Sequence, residues 1–372
     1  MFSYDPLVVR FGTLEDMVLL TPLLRLLHRR WRRPCRVMGS GRWLEPLLDG
    51  RPDVQAVLTV SNLERPYWFD GTQHDAVQRL RMQPPGAVYV CDDPATVKVR
   101  RLLRHAGVLA DQCRFANPDC PLRDGEHWID RWQRFAEMTP PAFVPGNFRA
   151  DARGPAKPWL VSNAGDRADL AEWLDRRGLA DAKIILLQPG SGRARSRGGD
   201  DSSADAECWP SANWVALIHA LLADPGDFSV IVCGAPPDTA LPRDLASSVG
   251  SPRVQVVGRD LPLRRFMALC GHAHAMISVD SGRAQVAAAS GCPLIVLYGS
   301  RQPARWCPRS ASGSPVLHLG GPPARSRVDE VTLDEVLAAW RALRGSSPAS
   351  ASPERPGPRR GCSGQPVRNV PH

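Results

Sequence analysis

Val279-Asp280-Ser281-Gly282-Arg283-Ala284-Gln285 is the stretch on which the reading of this chain turns. An apolar run, 275–279, stops at an acid, a hydroxyl and a glycine, and a small-residue run, 286–290, follows at once. That order predicts a strand, a tight turn and a helix. It brings a carboxylate, a hydroxyl and unbonded backbone N–H groups to the positive end of a helix dipole, where an anion is stabilised. A nucleotide diphosphate fits that description.

Working outward, the same alternation recurs on both sides. Ahead of it the pattern predicts a helix over 166–177, a strand over 183–188, a helix over 213–223, a strand over 229–233, a helix over 237–248, a strand over 254–257 and a helix over 263–271. Behind it come a helix over 285–290, a strand over 293–298 and a last helix over 333–343. Near the start, strands are expected over 7–11, 36–38, 54–60 and 87–91, with a loop over 12–15 and helices over 16–31 and 96–106. Strand–helix alternation of this kind predicts a parallel α/β sheet, here twice. We divide the chain into an N-terminal domain over 1–158, a C-terminal domain over 159–344 and a disordered Ser/Pro/Gly/Arg-rich tail over 345–372. The stretch 116–158, rich in proline and tryptophan, resists assignment.

Composition narrows the class. A chain of 372 residues suits two domains. The net charge is +9, and only Lys98, Lys157 and Lys183 among the 47 cations are lysine. A GC-rich genome gives that skew, and guanidinium groups also suit bidentate capture of phosphate. The arginines are scattered and no recognition module appears, so nucleic acid is not expected as a partner. Ten cysteines contain no Cys-x-x-Cys pair, which favours reduced thiols over zinc or disulfides. With no signal-peptide pattern and no apolar run near the ~20 residues of a membrane span, a cytoplasmic protein is expected.

Further turns fall at the predicted strand ends: Val8-Val9-Arg10-Phe11-Gly12-Thr13-Leu14-Glu15-Asp16 with Leu20-Thr21-Pro22, Leu187-Gln188-Pro189-Gly190-Ser191-Gly192, Glu207-Cys208-Trp209-Pro210, Cys233-Gly234-Ala235-Pro236-Pro237-Asp238, Gly258-Arg259-Asp260-Leu261-Pro262-Leu263 and Tyr298-Gly299-Ser300-Arg301-Gln302-Pro303. In this order and spacing they resemble the ADP-heptose:lipopolysaccharide heptosyltransferases, family 9 of the glycosyltransferases. The resemblance runs over about 7–343 and is stronger in the second half. It implies a GT-B fold, two Rossmann-like domains whose parallel sheets face a central cleft.

It also implies roles. Asp16 matches the general base, with Arg10, Thr13 and Glu15 on the acceptor side. Gly190, Ser191 and Gly192 would meet the donor phosphates, Asp238 the adenosine ribose, and Asp280, Ser281, Gly282 and Gln285 the diphosphate and donor sugar. Three positions depart from the family pattern: Glu15 replaces a glycine, Glu207 a lysine and Gln285 a histidine. A carboxylate beside Asp16 is expected to raise its pKa or crowd the acceptor. Arg193, Arg195, Arg197 or Arg301 would supply the cation that Glu207 cannot. No Asp-x-Asp motif occurs, so neither a metal nor a cofactor beyond the nucleotide-sugar substrate is expected.

The implied reaction is inverting transfer of a heptose or related sugar from an ADP-sugar to a lipopolysaccharide core or similar glycan. A lipid-linked or core oligosaccharide acceptor implies peripheral contact with the cytoplasmic face of the inner membrane, with Arg25, Arg29, Arg30, Arg32 and Arg33 as candidates to meet acceptor or lipid. Two alternatives stay open: a catalytically degenerate protein that binds nucleotide sugar or glycan, and a GT-B transferase for another nucleotide sugar.

Overall fold

The computed structural model describes residues 5–65, 67–92, 96–143, 157–190, 207–234 and 240–346. Among them, β1 (Leu7–Arg10), β2 (Cys35–Gly39), β3 (Val54–Thr59), β4 (Val88–Val90) and β5 (Cys113–Phe115) form one sheet in the order β3-β2-β1-β4-β5. A second sheet holds β6 (Lys183–Gln188), β7 (Phe228–Cys233), β8 (Val254–Val257), β9 (Ala275–Val279), β10 (Leu294–Tyr298) and β11 (Val316–Gly320) in the order β11-β10-β9-β6-β7-β8. Every pairing is parallel. Central strands such as β1, β9 and β10 are buried at every residue, as parallel strands covered by helices on both faces must be.

Both sheets wind the same way. The chain moves outward from β1 through β2 to β3, then returns to the other side of β1 as β4. It repeats this from β6 through β8 to β9. The reversal opens a crevice at the carboxyl ends of β1 and β4, and of β6 and β9, which is where doubly wound sheets bind ligands. The paired Rossmann-like sheets of the GT-B fold are therefore present.

The two halves share a core. One buried cluster joins Leu20, Leu23, Leu24 and Leu27 of the helix Leu14–Trp31 to Trp132 and Phe135 of the helix Trp128–Ala136, and to Val286 and Ala287 of the helix Gly282–Ala289. Burying each such side chain contributes about 1.5–3 kcal/mol, so the halves are held together by packing as well as by charge.

Boundaries moved where caps act. The first helix begins at Leu14, because Thr13 is its N-cap and Asp16 its third residue. The helix Ala164–Asp175 starts early for the same reason, with Asn163 as cap, and Gly282–Ala289 starts behind Ser281. Within 116–143, the stretch that resists assignment from its residues holds short helices at Ala116–Asp119 and Trp128–Ala136. Strand β11 was not expected either; it is a half-buried sheet edge and lacks a continuous apolar run. The last helix extends to Ser346, and the remainder of the expected tail lies outside the described residues.

Candidate functional site

At the end of β1, Gly12 and Thr13 turn the chain into the first helix. Thr13 Oγ1 accepts from Asp16 N (3.3 Å), and Asp16 Oδ2 accepts from Thr13 N (2.7 Å) and Thr13 Oγ1 (2.9 Å), a reciprocal capping box. Arg10, the last residue of β1, donates from Nη2 to Asp16 Oδ1 (2.8 Å) and from Nη1 to the Cys91 carbonyl at the end of β4. Asp92 Oδ2 holds Phe11 N–H (2.6 Å). The Asp16 carboxylate is thus fixed at the first crevice with 17% of its side chain exposed.

Burial alone would raise the Asp16 pKa. The Arg10 charge, with the backbone and hydroxyl hydrogens of Thr13, outweighs it and holds the carboxyl below the ordinary aspartate range. The expectation that Glu15 would raise it is corrected: the shift is downward, and Glu15 bonds elsewhere. A Cβ at Gly12 would stand 2.7 Å from both Cβ and Oδ2 of Asp16. Gly12→Ala therefore displaces the Asp16 side chain. We expect it to lower stability by about 1–3 kcal/mol through overpacking, read by urea denaturation; an unchanged midpoint contradicts this geometry.

The second crevice faces the first. Asp280 follows β9, and Ser281 Oγ caps the helix Gly282–Ala289 by accepting from Ala284 N (3.2 Å). The N–H groups of Gly282 and Arg283 lie in the first turn, which has no intrahelical acceptors for them. Gln188 at the end of β6 accepts from Arg283 Nη1 (3.2 Å) and donates to the Gly190 carbonyl (2.6 Å). A Cβ on Gly282 would meet Glu15 N at 3.4 Å and Leu14 Cβ at 3.5 Å, so the two helix starts nearly touch.

Arg301 joins them. Its Nη1 donates to Glu15 Oε1 (2.8 Å) and Oε2 (3.0 Å) and to Asp280 Oδ2 (3.0 Å), and its guanidinium lies 3.5 Å from the centre of the Trp306 ring. Glu207, Asp280, Gly299, Ser300, Arg301 and Val328 line a small cavity beside this bridge. The sequence named Glu15, Asp280 and Arg301 separately but gave no sign that one guanidinium would clasp both acids.

Other expected roles fare differently. Gln285 is 1% exposed and donates from Nε2 to the Trp306 carbonyl (2.6 Å), so one amide hydrogen is engaged in anchoring the 303–306 turn. Ser191, Gly192, Arg193, Arg195, Arg197 and Asp238 lie outside the described residues. Trp209 of the Glu207-to-Pro210 turn is core, donating to the Val331 carbonyl (2.7 Å). Asp260 serves structure, accepting from Gly258 N (3.1 Å) and Trp173 Nε1 (3.3 Å).

The basic run on the first helix is not at the crevice. That helix leaves Asp16 and runs about 1.5 Å per residue away from it, carrying Arg29, Arg32 and Arg33 to the far edge. Arg30 is spent on the Ala136 and Met138 carbonyls and Thr139, and Arg25 lies over Trp159.

Further bonds fasten the halves around the site. Arg309 pairs with Asp130 (2.5 and 2.9 Å), and Arg264 reaches the carbonyls of Pro46 (3.2 Å) and Asp49 (3.1 Å). His127 accepts Ile129 N–H at Nδ1 (3.1 Å) and meets the Cys307 carbonyl at Nε2 (2.9 Å), the pattern of a neutral imidazole protonated at Nε2. Burial, then the Arg309 charge, lowers its pKa to about 4, which agrees. Among the described residues no group of three or more His, Cys, Asp or Glu side chains can hold a metal ion, and no helix is long and apolar enough to cross a membrane.

Residues 170–332 match the sequence model of glycosyltransferase family 9 (heptosyltransferase). Lipopolysaccharide heptosyltransferase 3 of Escherichia coli is 33% identical over 106 residues, covering 28% of this chain and 31% of that protein. The match thus spans about a third of the curated relative. Among solved structures, E. coli ADP-heptose lps heptosyltransferase II superposes with a TM-score of 0.68 at 20% identity, covering 91% of this chain and 98% of that one. E. coli heptosyltransferase WaaC with ADP gives 0.61 at 16% identity, covering 91% and 99%. At these identities the structural likeness speaks to the fold.

Proposed function

We propose, from the match of residues 170–332 to the sequence model of glycosyltransferase family 9, that this chain is an inverting transferase. It moves a heptose or related sugar from an ADP-sugar to a lipopolysaccharide core or similar glycan, at the cytoplasmic face of the inner membrane. The observation that carries this reading is the convergence of the Asp16 loop and the Asp280–Arg301 pair at facing switch points.

The chemistry follows from that layout. The acceptor oxygen attacks the anomeric carbon from the side opposite the leaving group, and its proton passes to the Asp16 carboxylate. The bond from the anomeric carbon to the phosphate oxygen breaks, and ADP leaves with the electron pair. Arg301 and the first-turn N–H groups at Gly282 and Arg283 offset the charge that gathers on the diphosphate. Asp280, being an anion, suits the sugar hydroxyls rather than the phosphates, since a carboxylate accepts hydrogen bonds.

Calorimetry with ADP-heptose and with a uridine-diphosphate sugar, followed by a turnover assay on a lipopolysaccharide-core acceptor, tests the reading. Binding and turnover with the ADP donor are expected. Binding without turnover would leave a degenerate sugar-nucleotide-binding protein, and preference for the uridine donor a different transferase.

A further inference from the structure

The large hydrophobic side chains that stand most exposed among the described residues all fall within one stretch of the first half: Trp68 (76%), Phe69 (79%), Met82 (74%), Val97 (73%) and Leu109 (63%). A tight-packing explanation fails for them, since nothing covers them. Three share a surface. Trp68 and Phe69 belong to the 3-10 turn Tyr67–Phe69, and the Tyr67 ring stacks on His105 (4.7 Å between centroids, planes 12° apart). Trp68 meets the same imidazole edge-on at 5.8 Å. Lys98 reaches back to Glu64, just ahead of the turn. The turn therefore lies along the helix Thr96–His105, which carries Val97.

That helix is cationic on its outer side. Val97, Arg100, Arg101 and Arg104 are exposed on it, and the run from Thr96 to Ala110 contains no acid; Asp111 is the first. Of the acids nearby, Glu64 is engaged by Lys98, Asp75 by Arg79 (2.9 Å), and Asp70 as the buried cap of the helix Gly71–Met82. Arg81 of that helix is tied to the His105 carbonyl (3.0 Å). Arg100 stacks on the Phe115 ring (3.6 Å), while Arg101 and Arg104 have no ion pair among the described residues. Aromatic side chains standing out beside such guanidinium groups match one environment closely, the headgroup layer of a membrane carrying negative lipids.

We propose that this surface docks the protein on an anionic lipid bilayer, with Trp68, Phe69 and Val97 entering the headgroup layer and Arg101 and Arg104 against lipid phosphates. Isolated exposed apolar residues need no explanation, but a cluster with a cationic border marks an interaction site. Its place in the fold gives it a use. Thr96 Oγ1 bonds to the Asp92 carbonyl, and the Asp92 carboxylate holds Phe11 N–H (2.6 Å) in the loop that leads to Asp16. The start of the docking helix is thus joined through Asp92 to the loop that leads to Asp16, so a sugar chain anchored in the same bilayer would be presented to that carboxylate. This purpose rests on the proposed lipid-linked acceptor; the binding rests on the surface alone.

Sedimentation of the full chain with phosphatidylglycerol/phosphatidylethanolamine vesicles, against pure phosphatidylcholine vesicles, tests it. The wild type is expected to pellet with the anionic vesicles only, and less as salt rises. Trp68→Ser with Phe69→Ser, and separately Arg101→Glu with Arg104→Glu, should each weaken partitioning by about tenfold or more. Arg29→Glu with Arg32→Glu and Arg33→Glu, on the far edge, should leave it unchanged. Thermal melts matching the wild type establish that each variant is folded. No binding to anionic vesicles, equal binding to neutral ones, retained binding in the Trp68/Phe69 variant, or loss in the far-edge variant overturns the proposal. Binding of a short DNA duplex in place of vesicles, with the same arginine dependence, also overturns it. Failure of ADP-sugar titration counts against the transferase reading and leaves vesicle binding to be judged separately.

Discussion

Arg301→Ala is expected to weaken ADP binding by about ten- to a hundredfold, the 1.5–3 kcal/mol of a hydrogen bond to a charged group. Glu15→Gln is expected to strengthen it. The opposite signs come from one geometry. In the structure Arg301 Nη1 is shared between both oxygens of Glu15 and one of Asp280. Their side chains are 7% and 9% exposed. A diphosphate entering the crevice competes with those carboxylates for the guanidinium. Removing the negative charge of Glu15 weakens the competitor; removing Arg301 takes away the cation and leaves two acids facing the phosphates. Stability should fall in both variants, because taking one partner from a buried pair costs about 3–5 kcal/mol, less here for the one-fifth of Arg301 that meets solvent. Calorimetry with ADP and thermal melts on the three proteins decide it. Unchanged ADP affinity in a well-folded Arg301→Ala protein removes Arg301 from the donor site.

The same bridge marks how far the sequence can be read. Val279 to Gln285 announces its strand, turn and helix because each step changes residue chemistry abruptly, and the parallel strands of the second half show as apolar runs of the right length. Strand β11 and the helix Trp128–Ala136 do not, since one is a half-buried edge and the other packs tryptophans against arginines. At the site, Asp16, Asp280 and Arg301 were legible as separate turn residues. The clasp from Arg301 to Glu15 spans 286 positions of chain and leaves no periodic trace. Glu15 looked like a disturbance of Asp16; in three dimensions it faces the other half of the molecule. Asp92 is the residue that pins Phe11. Gly12 was legible as a turn, but the reason it must lack a side chain, the Asp16 carboxylate 2.7 Å from its missing Cβ, is tertiary.

Asp16→Asn should reduce turnover by about a hundred- to ten-thousandfold, the range for losing a positioned general base, while ADP affinity stays within about twofold. Asparagine keeps an oxygen for the Thr13 hydrogens, so the capping geometry is largely retained and the loss reports on proton transfer. The carboxylate is held low by Arg10 and Thr13, which makes it fully ionised at neutral pH but a reluctant proton acceptor. In the proposed mechanism it would take the acceptor's proton only as the new carbon–oxygen bond forms and the hydroxyl becomes acidic, so transfer and attack would be concerted. Two pH effects follow. The acidic limb of the rate profile should lie below about 4, the ordinary aspartate value, and Arg10→Gln should move it upward, because burial then acts with less opposition. For stability the sign is that of a depressed acid: Asp16 contributes above its unfolded pKa, and the contribution is lost as pH falls through the lower folded value. Single-turnover rates against pH for the wild type, Arg10→Gln and Asp16→Asn separate these effects. Turnover that survives in Asp16→Asn, or an acidic limb that Arg10→Gln leaves in place, would show that the proton goes to another group.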